Sequence, residues 1–180
     1  KNKSNGGSIR CFITHDKTTT YDKKINLIYF NKLLKNEKKL KIQNTKIYEE
    51  FFSNVSKIKI KLNKIIKEIK KRNESIYILG ASTKGNTILQ FLNIDNKIIP
   101  YAIERNREKF GAKTIGSNIE IISEKTAKKK LPNYQLVLPW HFKKEIVKRE
   151  KNYLKNGGKL IFPLPTIKII TRKNFLMYVK

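Results

Sequence analysis

The sequence contains one cysteine (Cys11), one methionine (Met177), one tryptophan (Trp140) and two histidines (His15 and His141). A single cysteine allows neither a disulfide framework nor a Cys-based zinc site. Two histidines do not make a His-rich site either, so no metal is expected. No apolar run approaches the roughly 18 residues needed to span a bilayer. The polar start, Lys1 to Ser8, has no apolar segment behind it that could act as a secretory signal. A cytoplasmic protein without a membrane partner is therefore expected. Neither G-x-S-x-G nor H-E-x-x-H is present, and nothing in the chain pairs a nucleophile with a base. The sole methionine stands near the far end and the chain opens on Lys1, so we read it as the C-terminal piece of something longer.

Acidic residues are also scarce. Against 41 Lys+Arg stand 14 Asp+Glu, a formal net charge of +27 over 180 residues. Such a charge ordinarily points to nucleic acid or an anionic surface. Only six of the basic residues are Arg, the residue preferred for bidentate phosphate and base contacts. The chain also holds 27 Ile and 18 Asn. Lys, Ile and Asn together are what AT-rich codons supply, and the lysines are spread out instead of forming one stripe. A solvated lysine coat is favoured over a nucleic-acid interface, and in either case the field attracts anions. With 39% hydrophobic and 10% aromatic residues, the chain is rich enough to bury a core and is not intrinsically disordered.

Ser8 to Thr14 alternates and reads as a strand, followed by a polar loop to Thr20. Residues 21–72 contain neither Pro nor Gly. Leu27, Ile28, Phe30, Leu33 and Leu34 recur at helical spacing, as do Ile47, Phe51, Val55, Ile58, Leu62, Ile65, Ile66 and Ile69. Two amphipathic helices follow, the second over about 45–72, read as a helical connector packed on the next domain. From residue 75 the pattern changes to short bare apolar runs, which suit strands buried on both faces of a parallel sheet. Strands are expected at 75–80, 98–103, 119–122, 134–138 and 159–162. One or two more are expected within 167–179, the last at an edge. Helices are expected over 86–94 and 142–154, the latter ended by Asn156-Gly157-Gly158. The fold class is α/β: a Rossmann-like, mostly parallel sheet with flanking helices, preceded by a helical connector. The expected division is 1–20 as the end of a preceding domain, 21–73 as the connector and 74–180 as the Rossmann-like domain.

Four segments could carry chemistry. Gly80-Ala81-Ser82-Thr83-Lys84-Gly85-Asn86-Thr87 follows a strand and opens a helix, where free N–H groups and the helix dipole favour an anion. It is neither G-x-G-x-x-G nor a P-loop, and the turn could serve packing and capping alone. Glu104-Arg105-Asn106 ends the next strand, where an acidic residue can meet ribose hydroxyls or form a plain surface pair with Arg105. Leu138-Pro139-Trp140-His141-Phe142 ends the fourth strand. Trp140 could stack on a base or sugar, while His141 could touch a ligand, cap a helix or move a proton. Phe162-Pro163-Leu164-Pro165 forms a rigid rim after the fifth strand.

Taken in order, the Gly80–Thr87 turn, Ala102-Ile103-Glu104-Arg105-Asn106, Leu138–Phe142 and Gly157-Gly158-Lys159-Leu160-Ile161-Phe162-Pro163-Leu164-Pro165 resemble the C-terminal domain of the SAM-dependent nucleotide-sugar C-methyltransferases. Gly6-Gly7-Ser8-Ile9-Arg10 resembles their Gly-Gly-Ser-x-Arg segment, although Asn5 stands where that family carries His. The resemblance implies upstream zinc-binding and SAM-binding domains and a Rossmann-like C-terminal domain with no SAM site of its own. It implies a nucleotide-linked deoxy sugar held between the central and C-terminal domains. SAM is thus expected for the parent protein and no cofactor within this chain, which alone should not methylate. By the same resemblance Ser82, Thr83, Lys84 and Asn86 contact the diphosphate and Glu104, Arg105 and Asn106 line the nucleotide side. Trp140 and His141 border the base or sugar. The alternatives are a basic nucleic-acid-binding module and a non-catalytic Rossmann-like domain.

Overall fold

A computed structural model describes residues 7–9, 11, 13, 15 and 23–179. Of the predicted strand over 8–14, residues 8, 9, 11 and 13 are described and show no more than a bridge at Ser8, while residues 10, 12 and 14 lie outside the described residues. By its contacts the chain divides into two units, residues 1–56 and 57–180. The first contains α1 (Lys23–Leu40) and the start of α2 (Thr45–Lys71). In that unit Leu27, Ile28, Tyr29 and Phe30 are exposed.

The second unit is built on a six-stranded sheet: β1 (Ile76–Leu79), β2 (Tyr101–Glu104), β3 (Glu120–Ser123), β4 (Tyr134–Val137), β5 (Lys159–Phe162) and β6 (Lys168–Ile170). The strand order is β3-β2-β1-β4-β5-β6. All pairs are parallel except β5–β6, where Ile161 stands opposite Ile169. The remaining helices are α3 (Thr83–Leu92), α4 (Glu124–Lys130), α5 (Lys143–Arg149) and α6 (Lys151–Lys155). The chain is therefore α/β with a mostly parallel sheet and flanking helices, as the bare apolar runs predict. The central strands β1 and β4 are buried at every position, as strands covered on both faces must be.

Each face of the sheet has its own core. Ile76, Ile78, Ala102, Ile121, Leu136 and Ile161 pack under Leu62, Ile66 and Ile69 of α2 and Leu89 and Leu92 of α3. On the other face, Leu79, Ile103, Val137, Leu160 and Phe162 meet Ala127 of α4, Ile146 and Val147 of α5, Leu154 of α6 and Phe175. The three α2 residues follow one another at spacings of four and three, a single apolar stripe. Asn63, on the same stretch, donates its side-chain N–H to Leu92 O at 3.2 Å. The second part of α2 is thus a structural layer of the sheet domain.

Several boundaries differ from the periodicity, each for a local reason. Helix α3 begins at Thr83 because the Ser82 side chain accepts from Gly85 N at 3.1 Å and caps it there. Strand β2 begins only at Tyr101, because the Asp95 carboxylate holds Lys97 N and Ile98 N in a turn before Pro100. The helix expected over 142–154 is a 3-10 turn (Trp140–Phe142) followed by α5 and α6, which break at Glu150. It closes on Gly157, at φ +93, with Gly158 N donating to Tyr153 O, a glycine C-cap. Helix α4 follows β3 directly and is too short for its period to stand out. Beyond β6 the chain makes a 3-10 turn (Phe175–Tyr178) in place of a further strand. Asn174 Oδ1 accepts from Thr171 N at 2.8 Å and its amide donates to Ile169 O at 3.1 Å, folding the chain back. At the other end, residues 111–113 run antiparallel along β3: Gly111 N donates to Ile121 O, Ile121 N to Ala112 O, and Lys113 bridges Glu120.

At the amino ends of the strands a polar cluster ties β1, β4 and β5 together. Glu74 Oε1 accepts from Lys159 Nζ at 3.0 Å and its Oε2 from Arg72 Nε at 2.6 Å, while Lys159 also donates to the Tyr134 hydroxyl at 2.9 Å. Hydrogen bonding from Arg72, then from Lys159, holds the Glu74 carboxyl below the usual carboxylate range.

If the second part of α2 is core, Leu62→Ala costs about 2–5 kcal/mol, the range for emptying a fully buried leucine site. Urea unfolding of the whole chain measures it, and a loss below about 1 kcal/mol would mean that this helix is dispensable to the sheet domain.

Candidate functional site

The strand order reverses between β1 and β4, and ligands of open α/β sheets bind beyond the carboxyl ends of strands at such a point. Here β1 runs into Gly80 and β4 into Leu138-Pro139. Gly80 has φ +89, and a Cβ built on it would stand 2.8 Å from Pro139 Cδ. The turn needs glycine on both counts. Gly85 is equally confined, with Leu138 Cδ1 2.7 Å from its would-be Cβ. These two glycines let the turn and the start of α3 pack onto the end of β4.

Beyond those strand ends lies a pocket of about 370 Å³. Leu79, Ile103, Pro139, Phe142 and Ile146 give it an apolar lining; Gly80, Ser82, Glu104, Arg105, Glu124, Glu145 and Arg149 supply its polar part. The residues singled out by sequence do not all meet here. Ser82, Glu104 and Arg105 line the pocket. Thr83 and Lys84 are exposed in the first turn of α3 and are not part of the lining. Asn86 is half-buried and its Oδ1 is shut from solvent with no hydrogen-bond partner. Asn106 caps the short 3-10 turn Arg107–Lys109, accepting from Glu108 N at 3.1 Å. Trp140 and His141 lie in the 3-10 turn after β4, ring centroids 5.6 Å apart and edge-on. His141 leans on Phe142 at 4.3 Å, and of these three rings only that of Phe142 lines the pocket.

Glu104 has a defined task in this structure. Its Oε2 accepts from Ala81 N at 3.0 Å, and its Oε1 from Arg105 N at 2.7 Å and Asn106 N at 3.2 Å. Lys109 Nζ donates to Ala81 O at 2.9 Å. The Ala81 residue is thus gripped at both its N–H and its carbonyl by the chain leaving β2. Burial alone would push the Glu104 carboxyl upward. The three backbone N–H bonds, from Arg105, Asn106 and Ala81, and the nearby Lys109 charge outweigh it and hold the group below its ordinary value.

The sequence reading missed Glu124, Glu145 and Arg149. Glu124 follows the carboxyl end of β3 directly, just after the Ser123 cap of α4. Its position at a strand end was the available signal. Glu145 and Arg149 sit four residues apart, one turn of α5, which places them on one face; nothing in their sequence context distinguishes them from the many other charged residues. Among the described residues no group of three or more His, Cys, Asp and Glu could hold a metal ion, and no helix is long and apolar enough to cross a membrane.

The depressed carboxyls have a sign. Glu104 and Glu74 both bind protons less readily in the folded chain, so their stabilisation is complete above the ordinary carboxylate range. It is lost as pH falls from the ordinary carboxylate range through their lowered values. Glu104→Ala leaves three backbone N–H groups without their acceptor and costs about 1–3 kcal/mol near neutral pH. It also flattens the acid limb of stability against pH. Denaturant midpoints between pH 3 and pH 7 measure both effects, and an acid limb identical to that of the parent chain would remove Glu104 as its source.

A family model described as the C-methyltransferase C-terminal domain matches residues 3–165. The C-methyltransferase NovU of Streptomyces niveus is 27% identical over 144 residues, 80% of this chain but 34% of that protein. The chain therefore spans about a third of the curated relative it matches. Among solved structures, the UDP-D-quinovosamine 4-dehydrogenase of Vibrio fischeri matches at 16% identity over 57% of this chain and 98% of that one, with a TM-score of 0.38. A likeness that slight carries no argument about ligand or activity. The family match extends from the Gly6-Gly7 segment through the turn, the strand ends and the Pro163–Pro165 rim, and on it this chain belongs to the C-methyltransferase C-terminal domain family.

Proposed function

We propose that this chain is the substrate-binding region of a SAM-dependent C-methyltransferase acting on a nucleotide-linked deoxy sugar, and that the nucleotide sugar is its ligand. The observation that carries the reading is the pocket itself. In a member of this family, a cavity of about 370 Å³ opens beyond the carboxyl ends of β1, β2 and β4, at the reversal of strand order. Its apolar floor suits a ring face, and its charged rim suits hydroxyls and phosphate. Arg105 and Ser82 are the proposed polar contacts within it. Thr83, Lys84, Asn86, Asn106, Trp140 and His141 are proposed for the parts of the ligand that extend outside.

SAM is assigned to the preceding domain of the same protein, where it would supply the methyl group. The residues here do not suit it. The acid that would take the ribose hydroxyls, Glu104, already accepts three backbone N–H groups. A carboxylate has about four acceptor sites, so little is left for a two-hydroxyl grip. The work of this chain is then to bind, orient and shield the nucleotide sugar while the chemistry is done from the other side.

The alternative of a basic nucleic-acid module is discriminated by ligand choice. Calorimetric titration with dTDP, UDP, GDP and a short RNA, at one fixed salt concentration, is the test. One-to-one binding that prefers one nucleoside diphosphate is the expected result. RNA binding with no nucleotide preference, or no binding to any of the four, would overturn the reading for this chain.

A further inference from the structure

Most described apolar side chains of the first unit are uncovered. Between Leu27 and Phe52 ten large apolar side chains are exposed, five of them aromatic. In α1 the four consecutive residues Leu27 to Phe30 are all more than half exposed. At about 100° per residue they reach around most of the helix. In α2, Tyr48, Phe51 and Phe52 open a stripe that continues at spacings of three and four through Val55 and Ile58 to Leu62, Ile66 and Ile69. Phe51 is 65% exposed, Val55 and Ile58 are half-buried, and Leu62 is fully buried. One continuous apolar stripe thus serves as core over its second half and is left bare over its first. The family match begins at residue 3, so these helices belong to the family's domain and are not an appendage to it.

We propose that residues 27–52 form a docking surface for the preceding domain of the same protein, which encloses the start of α1 and covers the bare part of the α2 stripe. The proposal rests on the reading above that such a domain exists, and not on the identity of the ligand. Three observations select this occupant. The first is the amount of chain: the matched segment is 34% of the curated relative, so most of that protein lies outside it. The second is geometry. A helix that is apolar around most of its girth is one buried within protein, whereas a helix on a bilayer surface buries one face and keeps the other polar. The third is charge together with area. Residues 23–56 carry eight Lys against three Glu, so a second copy would bring like charge onto like charge across a shared patch. Ten side chains of roughly 200 Å² each, about half exposed, present on the order of 1,000 Å². Interfaces between domains of one chain run to roughly 600–1,500 Å². The surface that fits is apolar at its centre with carboxylates at its rim.

Amide hydrogen exchange over residues 23–56, in this chain and in the parent protein, tests the proposal. Exchange there is expected to be about tenfold or more slower in the parent, while that of β1 and β4 is the same in both. A double variant supplies a second readout. Phe51→Ser with Phe52→Ser replaces side chains that are already exposed in this chain, so the chain's own thermal melt should not move. In the parent the same pair of substitutions should return residues 23–56 to the fast exchange of the isolated chain. Equal exchange in chain and parent overturns the docking surface, as does a parent with no domain before this one. Protection already present in the isolated chain and rising with its concentration also overturns it, in favour of a second copy. Protection gained only on vesicles of phosphatidylcholine and phosphatidylserine overturns it in favour of a lipid surface. The nucleotide titration, repeated on the variant chain, keeps this proposal apart from the ligand. A protected face in a protein whose chain binds no nucleoside diphosphate removes the nucleotide reading alone. A chain that binds one while its parent leaves the face unprotected removes the docking surface alone.

Discussion

A parallel sheet whose strands are apolar on both faces cannot persist until both faces are covered, and most of this domain is an answer to that demand. On one side α4, α5, α6 and the C-terminal 3-10 turn do the covering. On the other the chain has only α3 of its own strand–helix alternation, because residues 105–119, between β2 and β3, form a 3-10 turn and loop instead of a helix. The stripe Leu62, Ile66 and Ile69 fills the deficit. A helix that by sequence order precedes the sheet is thereby drawn into its core. Those three side chains bury enough apolar surface to contribute several kcal/mol, before the entropy of ordering the helix is set against it.

The covering helices also fix where chemistry can occur. With both faces occupied, the ends of the strands are where the sheet opens, and the turn at Gly80 lies at one of them. The close approach of Gly80 to Pro139 draws β1 and β4 together at that end, and Glu104 with Lys109 fastens the turn to β2. Three neighbouring strand ends are thereby held in a fixed relation. The pocket between them owes its shape to backbone packing and to one carboxylate more than to any ligand-directed side chain.

This division explains what was legible. Bare apolar runs such as Ile76–Leu79 marked the buried strands, because burial on both faces favours apolar side chains throughout; Tyr134–Val137 departs from this at Gln135, buried with its Oε1 unbonded. The turn, the acid after β2 and the aromatic segment after β4 stood out for the same reason: they interrupt those runs at the strand ends. Two things could not be read. Helix boundaries shifted with single side-chain bonds, as Ser82 on Gly85 N and Asn174 on Thr171 N show. The pocket's second charged wall comes from Glu124 and Arg149, which the fold brings together from helices 25 residues apart in sequence. In a chain with 55 charged side chains, Arg149 carries no mark of its own and Glu124 only its place at the end of β3. Glu104 was legible as a residue of interest, yet its bonds to Ala81, Arg105 and Asn106 emerged only with the backbone in place.

The flanks of the sheet have a consequence of another kind. A bare outer strand is a template on which a foreign strand can add, the usual route to aggregation and to peptide capture by β-augmentation. Here β3 is paired along its outer side by residues 111–113, and β6 runs straight into the Asn174 loop, which takes up Ile169 O and Thr171 N. The domain is thus guarded against growing sideways. A protein partner must meet it through side chains and loops, which confines its recognition to surfaces whose chemistry evolution can tune residue by residue.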